Sequence, residues 1–321
     1  MKVEIIAPNP KILDELNTFC GMLYQPRQHV QVGNWKNVEH VILVRKNHEL
    51  MGFLTTFSNP YLSKYLIAGN YQCVPNPEVS TQLFDALKSL AIQTDITSII
   101  GPMNGSTWHS YRYSNYISNP FFMEYVHKDY YVEQWKNAGF LVCETYCSNT
   151  EQFDPLKQFL GMDEFLTEKE LTTKKFGQEQ LIDIHGFCNQ VFSKNPLFSP
   201  ISLNEFLELY TPLLPYFDPN LIDLIYDQNQ LVGLLLAIAD PKDPSTVIVK
   251  TIARHPDKKY NGLATVLSNR FYKKAVEMHF QTMIHAYMHL ENSSTFVSKK
   301  YGGSVFKEHI LFEYDLKRIE P

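Results

Sequence analysis

The chain has 321 residues, with 29 Lys and Arg against 34 Asp and Glu, and a formal net charge of −5. Apolar residues make up 44% and charged residues 20%, which is typical of a globular protein of one or two domains and excludes a disordered or fibrous chain. The slight acidic excess argues against nucleic acid as a partner.

No segment predicts a membrane span or a secretion signal. The longest apolar run, Leu231 to Ala239, is about half of the roughly 20 residues that cross a bilayer. The N-terminus lacks the apolar stretch of a signal peptide, and the odd number of cysteines, five, disfavours a disulfide framework. We therefore expect a soluble protein of the reducing cytoplasm, with no membrane partner.

The two halves of the chain repeat one pattern of elements. Each half predicts a hairpin, a helix and a strand in the same order: Val41–Phe57, Ser80–Ile92 and Ser98–Ile100 in the first, then Leu221–Ala239, Gly262–Met278 and Thr282–Ile284 in the second. We predict a mixed α/β (α+β) fold class with two domains, residues 1–150 and 175–321. Residues 151–174 are predicted to form a linker that is helical in part.

The second domain is predicted to begin with a helix from Gln178 to Phe192. Ser202 followed by Glu205 is the pattern of a capping box, which predicts the start of another helix. The stretch from Tyr210 to Pro219 holds three prolines, so we predict a loop that lines a site.

Residues Val247–Leu267 carry the clearest sign of chemistry. A β-branched strand runs to Ala253, a His-Pro-Asp turn ends it, and Gly262 leads into a helix. Glycine admits close backbone approach, and the amides at a helix N-terminus bind anions such as a pyrophosphate. Lys258 and Lys259 add positive charge beside them. A lone glycine turn is equally typical of an ordinary strand–turn–helix connection.

This stretch resembles the acetyl-coenzyme A loop of the GNAT superfamily of N-acetyltransferases, whose pattern is Gln/Arg-x-x-Gly-x-Gly/Ala. Lys259 stands in the Gln/Arg position, Gly262 is the glycine, and Ala264 fills the Gly/Ala position. Downstream, Glu291–Gly303 resembles the helix and glycine turn that precede the last strand in that family. The resemblance covers Asp183 to Leu316 and is to a tandem-domain member with a degenerate N-terminal copy.

The resemblance implies two tandem GNAT-like domains, each a twisted, mostly antiparallel sheet flanked by helices. It also implies that strands Val247–Ala253 and Gln281–His289 splay apart and admit the pantetheine arm of acetyl-CoA, the co-substrate. The main-chain contacts of that arm would come from Ile252, Ala253 and Arg254. The pyrophosphate would bind the backbone amides of Lys259, Tyr260, Asn261, Gly262, Leu263 and Ala264. Asn292 would reach the pantetheine or lie near the thioester.

The implied reaction is direct attack of an amine on the acetyl carbonyl, which needs a base for the ammonium proton and an acid for the thiolate. Period-two spacing predicts that His285, Tyr287 and His289 share one face of a strand, and His289 is the predicted base. Ser298 occupies the family's tyrosine-acid position, so Tyr301 is either a substitute acid or part of the helix packing. The histidines lack further ligands in register, so we predict no metal site.

The first half is predicted to have lost the cofactor loop. Thr81 aligns with Gly262, and Pro75 and Pro77 occupy the turn before it. The Gly101–Trp108 segment reads as a shaped loop, which either forms a wall of the acceptor site or packs between the domains.

The leading hypothesis is an N-acetyltransferase with its active site in the second domain. A FemABX-like aminoacyl or acyl transferase and a non-catalytic protein that binds coenzyme A or a partner are the alternatives. The expected acceptor is the amine of a small molecule or peptide, and a homodimer is left open.

Overall fold

The computed structural model describes residues 1–24, 30–94, 96–116, 120–157 and 162–319. Residues 158–161 of the predicted linker therefore lie outside the described ranges. The chain forms two compact units. Unit 1 comprises Met1–Pro120, Glu124–Thr145 and His309–Pro321, and unit 2 comprises Phe121–Met123 and Tyr146–Glu308.

The strands are β1 (Lys2–Ile6), β2 (Val38–Lys46), β3 (Glu49–Phe57), β4 (Tyr65–Cys73), β5 (Ser98–Gly101), β6 (Tyr113–Ser114), β7 (Leu141–Gln152), β8 (Leu171–Lys174), β9 (Ile222–Asp227), β10 (Gln230–Asp240), β11 (Asp243–Arg254), β12 (Thr282–His289) and β13 (Ser304–Asp315). The α-helices are α1 (Pro10–Tyr24), α2 (Pro77–Ile92), α3 (Tyr131–Asn137), α4 (Met162–Glu168), α5 (Leu181–Val191), α6 (Leu203–Tyr210), α7 (Leu263–Glu277) and α8 (Ser293–Tyr301).

In unit 1, strands β1 to β4 pair antiparallel in chain order, and β4 pairs parallel with β5. The C-terminal part of β13 pairs antiparallel with β5. The core beneath this sheet is rich in aromatic rings: Tyr71 stacks on Phe84 with ring centroids 5.2 Å apart, and Trp135 meets Phe84 edge-on at 5.0 Å. Helix α2 supplies the buried aliphatic side chains that complete this core.

In unit 2, strands β8 to β11 pair antiparallel in chain order, β11 pairs parallel with β12, and β12 pairs antiparallel with β7. Helix α7 buries one face against this sheet, with Leu263, Leu267 and Phe271 in the core. The unit is a mostly antiparallel sheet flanked by helices, so the predicted fold class is confirmed.

The predicted duplication is also confirmed, because both units place an antiparallel hairpin, a third antiparallel strand, a crossover helix and a parallel strand in the same order. A parallel pair needs a long connection, and α2 and α7 supply it. The first hairpin turns at Asn47 and His48, both with positive φ (50° and 71°), which suits a tight two-residue turn between twisted strands.

Two stretches differ from the sequence-based expectation. The predicted loop Tyr210–Pro219 contains a 3₁₀ helix over Thr211–Tyr216, and a second follows at Pro219–Leu221. Both have proline in the first turn, where its missing N–H costs no hydrogen bond. Strand β8 lies inside the predicted linker. The predicted capping box is confirmed, since the amide of Glu205 donates to the Ser202 hydroxyl at 3.3 Å.

None of the described helices combines the length and the hydropathy that a membrane crossing requires.

Candidate active site

Strands β11 and β12 run side by side and then separate. Their parallel pairing extends from Thr246 and Thr282 to Val249 and His285. Beyond these pairs β11 continues to Arg254, and among the described strands it remains paired there with β10 alone, on its other edge. The splayed pair predicted for this unit is therefore confirmed.

A β-bulge lies in each strand at the point of separation. In β11, Val249 pairs with Ala237 and Thr251 with Leu236, so Lys250 is an extra residue. In β12, the register against β7 shifts between His285 and Met288. Bulges bend a strand and increase its twist, and they occur often beside active sites. We attribute the opening of the sheet to these two bulges.

A cavity fills the gap between the separated strands. Strand β11 lines it with Val249, Lys250, Thr251 and Ile252, and β12 with Met283, His285, Ala286, Tyr287 and Met288. The remaining lining residues are Ser268, Phe271 and Tyr272 of α7, Ser294, Val297 and Tyr301 of α8, and Phe192, Asn195, Leu235 and Asn292. The cavity therefore combines an unpaired strand edge, aromatic walls and a few polar groups, which is typical of a ligand site.

The N-terminus of α7 offers three backbone amides. The amides of Lys259, Tyr260 and Asn261 are used within the turn, where they donate to Asp257 and Lys258. Within the described ranges, the amides of Gly262, Leu263 and Ala264 donate to no protein acceptor. The helix dipole adds partial positive charge here, so these three amides are suited to bind an anionic group.

The side chains of Lys259, Tyr260 and Arg254 stabilise this turn through hydrogen bonds and an ion pair. Asp227 accepts a hydrogen bond from the Tyr260 hydroxyl at 2.7 Å and forms an ion pair with Lys259 at 2.9 Å. Both interactions lower the pKa of Asp227, the tyrosine bond most. Arg254 donates to the carbonyl oxygens of His255 and Asp257 at 2.7 and 3.3 Å.

Gly262 is required by its conformation and its neighbour. Its φ of 94° lies in the left-handed region, which side-chain-bearing residues rarely adopt. A Cβ at this position would lie 3.1 Å from the ring of Phe165. The positive φ and the contact with α4 therefore both favour glycine here, independently of any ligand.

The predicted site residues lie in different surroundings. Asn292 and Tyr301 both line the cavity, as does Ile252. Ser298 is fully buried, and its hydroxyl accepts a hydrogen bond from the Asn149 amide at 2.9 Å. The His289 ring packs edge-on against Tyr146, and its Nδ1 accepts from the amide of Glu291 at 3.2 Å. Of these, Tyr301 is the predicted acid–base residue that the structure places beside the cavity.

Tyr301 is held in an apolar wall. Its ring stacks on Tyr272 with centroids 6.0 Å apart, and its hydroxyl is hydrogen-bonded to the Asn269 side chain. Burial raises the pKa of Tyr301 to about 12. The phenol therefore keeps its proton at neutral pH and is able to donate it.

The bulge in β12 corrects one prediction: neither Tyr287 nor His289 shares a face with His285, since His285 pairs with Asn149 and His289 with Tyr146. Tyr287 packs against Phe121, whose cluster includes Ile284. His285 pairs with Asn149 across the ladder, and its Nε2 lies 3.4 Å from the Glu151 carboxylate. Period-two alternation fails here because the extra residue of the bulge shifts the following side chains to the other face.

Glu151 was not found from the sequence. Only 3% of the residue is exposed, and neither carboxylate oxygen has a hydrogen-bond partner among the described residues. The available signal was the strand pattern of residues 141–152, which places Glu151 and Asn149 on one face. The partner across the ladder depends on non-local pairing, which the sequence pattern does not show.

In unit 1 the corresponding gap is occupied by the chain itself. After β5 ends, the amide of Met103 donates to Ala68 on β4 at 2.9 Å, and the amide of Asn70 donates to the Asn104 side chain at 2.8 Å. A Cβ at Gly69 would lie 2.3 Å from the carbonyl oxygen of Met103, so only glycine admits this approach. At the start of α2, the Asn76 side chain caps an amide.

No protein-family profile and no curated protein sequence matches the chain. Among solved structures, a tandem GNAT protein from the clavulanic acid biosynthesis pathway is similar with a TM-score of 0.57 at 10% identity, over 98% of both chains. A GNAT-family acetyltransferase from Colwellia psychrerythraea gives a TM-score of 0.53 at 12% identity, over 98% of this chain and 100% of that one. A GCN5-related N-acetyltransferase from Sphaerobacter thermophilus gives 0.51 at 10% identity, over 98% and 95%. At such identities the similarity establishes the fold, and the chain has the tandem GNAT fold that the resemblance predicted.

Proposed function

We propose that the protein is an N-acetyltransferase that moves an acetyl group from acetyl-CoA to an amine, with its active site in the cavity of unit 2. The observation that carries this proposal is the opened β11–β12 pair, whose cavity lies in the same unit as the three uncommitted amides of α7. The GNAT fold supports the reaction class by analogy.

The residues present fit acetyl-CoA as the co-substrate. The edge of β11 past Val249 is unpaired with β12, so the main chain of Ile252, Ala253 and Arg254 is available to the polar groups of a pantetheine arm. The amides of Gly262–Ala264 would hold the pyrophosphate. Asn292, at the N-cap of α8, makes no capping bond with its side chain, which leaves that amide to the ligand.

The reaction requires five bond changes. The acceptor ammonium loses one proton to a base, its nitrogen forms a bond to the acetyl carbon, and the C–S bond breaks to release a thiolate. The thiolate takes up a proton from an acid, and the nitrogen loses its second proton, which restores the acid. Tyr301 is the proposed acid for the thiolate, because its phenol is protonated at neutral pH and lines the cavity. His289 and Ser298 remain predicted catalytic residues, and their contacts described above do not place them at the cavity.

The experiment is a turnover assay with a panel of amines, both small molecules and peptide N-termini. Released thiol and the mass of the acetylated acceptor are measured together, because hydrolysis would give thiol without product. Propionyl-CoA in parallel shows whether the acyl group is limited to acetyl. We expect amine-dependent thiol release with an equal amount of acetylated product.

A matched pair of variants locates the reaction. Val297 lines the cavity, whereas its neighbour Phe296 is 75% exposed on the same helix. Val297→Trp should abolish turnover and Phe296→Trp should retain it, with unfolding temperatures checking that both fold. Binding of acetyl-CoA without turnover on any amine would instead support the non-catalytic alternative. Transfer from aminoacyl-tRNA with no use of acetyl-CoA would support the FemABX-like one.

A further inference from the structure

A buried acid and a histidine adjoin each other in the wall of the cavity. Glu151 lies on β7 and His285 on β12, and the closest carboxylate oxygen is 3.4 Å from the His285 Nε2. Their side chains are 2% and 13% exposed. His285 itself lines the cavity, at the last residue before the strands separate.

Three polar atoms of this pair have no hydrogen-bond partner among the described residues. Both oxygens of Glu151 and the Nε2 of His285 are buried and make no hydrogen bond to any described residue. A buried carboxylate without a partner is costly, so a contact between carboxylate and imidazole is the arrangement that relieves the cost. With Nε2–H directed at Glu151, the Nδ1 lone pair of His285 remains for a ligand.

The surroundings add two lysine ammonium groups and three tyrosine rings. Lys250 from β11 also lines the cavity, and its ammonium lies over the Tyr287 ring at 4.5 Å. Tyr272 of α7 and Tyr301 of α8 face the same space. Lys157 lies over the rings of both at 5.0 and 4.9 Å. Among the described residues that line or support this wall, Glu151 is thus the acidic side chain beside the His285 imidazole.

We propose that His285 is the base of the acetyl transfer and that Glu151 is its positioning residue; this assignment rests on the function proposed above. The Nδ1 of His285 takes the proton of the acceptor ammonium, and the freed nitrogen lone pair forms the bond to the acetyl carbon. The Glu151 carboxylate, 3.4 Å from Nε2, favours the tautomer with the proton on Nε2 and stabilises the imidazolium that forms. The strand that precedes the predicted linker thereby completes the site of unit 2.

The test is the change in kcat against the change in KM in the full-length protein. Glu151→Gln removes the carboxylate charge beside the imidazole, so kcat should drop about tenfold or more with the KM for acetyl-CoA unchanged. Glu151→Asp retains a carboxylate and should recover part of this loss.

His285→Gln should lower kcat by about 100-fold or more. His279→Asn is the matched control, because His279 lies just after α7 with φ of 63°, a conformation that Asn tolerates. It should leave kcat unchanged. A wild-type kcat in His285→Gln or in Glu151→Gln would overturn the assignment.

A second measurement does not depend on turnover. The imidazole nitrogen resonances of His285, identified by their loss in His285→Gln, report which ring nitrogen carries the proton. At one fixed pH they should show the Nε2–H tautomer in the wild type and a changed tautomer ratio in Glu151→Gln. Identical resonances in the two proteins overturn the pairing. Absence of acetylation for every amine together with a changed tautomer ratio would overturn the proposed function while the coupling of the two residues stands.

Discussion

Tyr301 is the single side chain that tests the proposed acid. Its hydroxyl lies in an apolar wall, and its pKa of about 12 keeps the phenol protonated through the neutral range. Tyr301→Phe should lower kcat by about 100-fold, the usual contribution of a positioned acid, and leave the KM for acetyl-CoA within twofold.

Tyr226→Phe is the control for this change. Tyr226 is fully buried in the same unit, and its hydroxyl donates to Asp183 at 2.6 Å, away from the cavity lining. Its loss should cost stability and no activity. Equal kcat values for Tyr301→Phe and the wild type would assign Tyr301 to helix packing, the other interpretation that the sequence left open.

At the residue scale, the sequence predicted the Gly262 turn but not the pair formed by Glu151 and His285. The Gly262 turn could be identified because a glycine between a strand and a helix is a local signal. Glu151 and His285 belong to strands more than a hundred residues apart in sequence, and they meet through ladder register. No local pattern reports such register, least of all across a bulge.

At the scale of the element, two glycines with a left-handed backbone conformation allow a prediction about stability, one at the N-cap of α7 and one at the C-cap of α8. Gly262 and Gly302 have φ values of 94° and 103°. Gly302→Ala meets no neighbouring atom within 4 Å, so it should cost about 1–2 kcal/mol of unfolding free energy for the backbone alone. Gly262→Ala should cost more, because its Cβ also meets the Phe165 ring.

Urea unfolding measures the difference in unfolding free energy between the two variants, and Phe165→Leu in the Gly262→Ala background should reduce that difference. Equal losses of unfolding free energy in Gly262→Ala and Gly302→Ala would show that the Phe165 ring on α4 moves aside at no cost. The positive φ alone would then explain the glycine at position 262.

The sequence predicted the elements that have a local pattern of residues, and it did not predict those that form only through pairing with a neighbouring strand. The hairpin of β2 and β3, the capping box of α6 and the helix α7 follow from periodicity and turn residues. Strand β8 escaped prediction because it is four residues long and gains its stability by pairing with β9. The bulge at Lys250, which opens the sheet, leaves no mark in the sequence pattern.

At the scale of the whole molecule, buried thiols predict a loss of stability in alkali. Burial raises the pKa of Cys20, Cys73 and Cys188 to about 12 each. The unfolded thiols ionise near pH 8.5, so their contribution to stability is complete below that pH and declines as the pH rises toward 12. Each thiol should remove up to about 1.4 kcal/mol per pH unit in that window.

Urea unfolding at pH 8, 9 and 10 tests this decline, and comparison with Cys188→Ala separates the thiol from the tyrosines that also ionise near pH 10. Cys188→Ala should flatten the slope by about one proton relative to the wild type, whatever its effect on stability at pH 8. A free energy of unfolding that stays constant from pH 8 to 10 would contradict the burial of these thiols.

The two units make different use of one fold. In unit 1 the loop after β5 is hydrogen-bonded to β4, whereas in unit 2 the corresponding strand edge faces a cavity. A strand edge that is already paired has no hydrogen bonds left for a pantetheine arm. We therefore expect each chain to bind one molecule of acetyl-CoA.

Calorimetric titration of acetyl-CoA into the full-length protein tests the central claim most directly. We predict one site per chain, with affinity lost in Val297→Trp and kept in Phe296→Trp while both variants retain the wild-type unfolding temperature. Binding of two molecules per chain, or an affinity in Val297→Trp equal to that of the wild type, would contradict the placement of the cofactor site between β11 and β12.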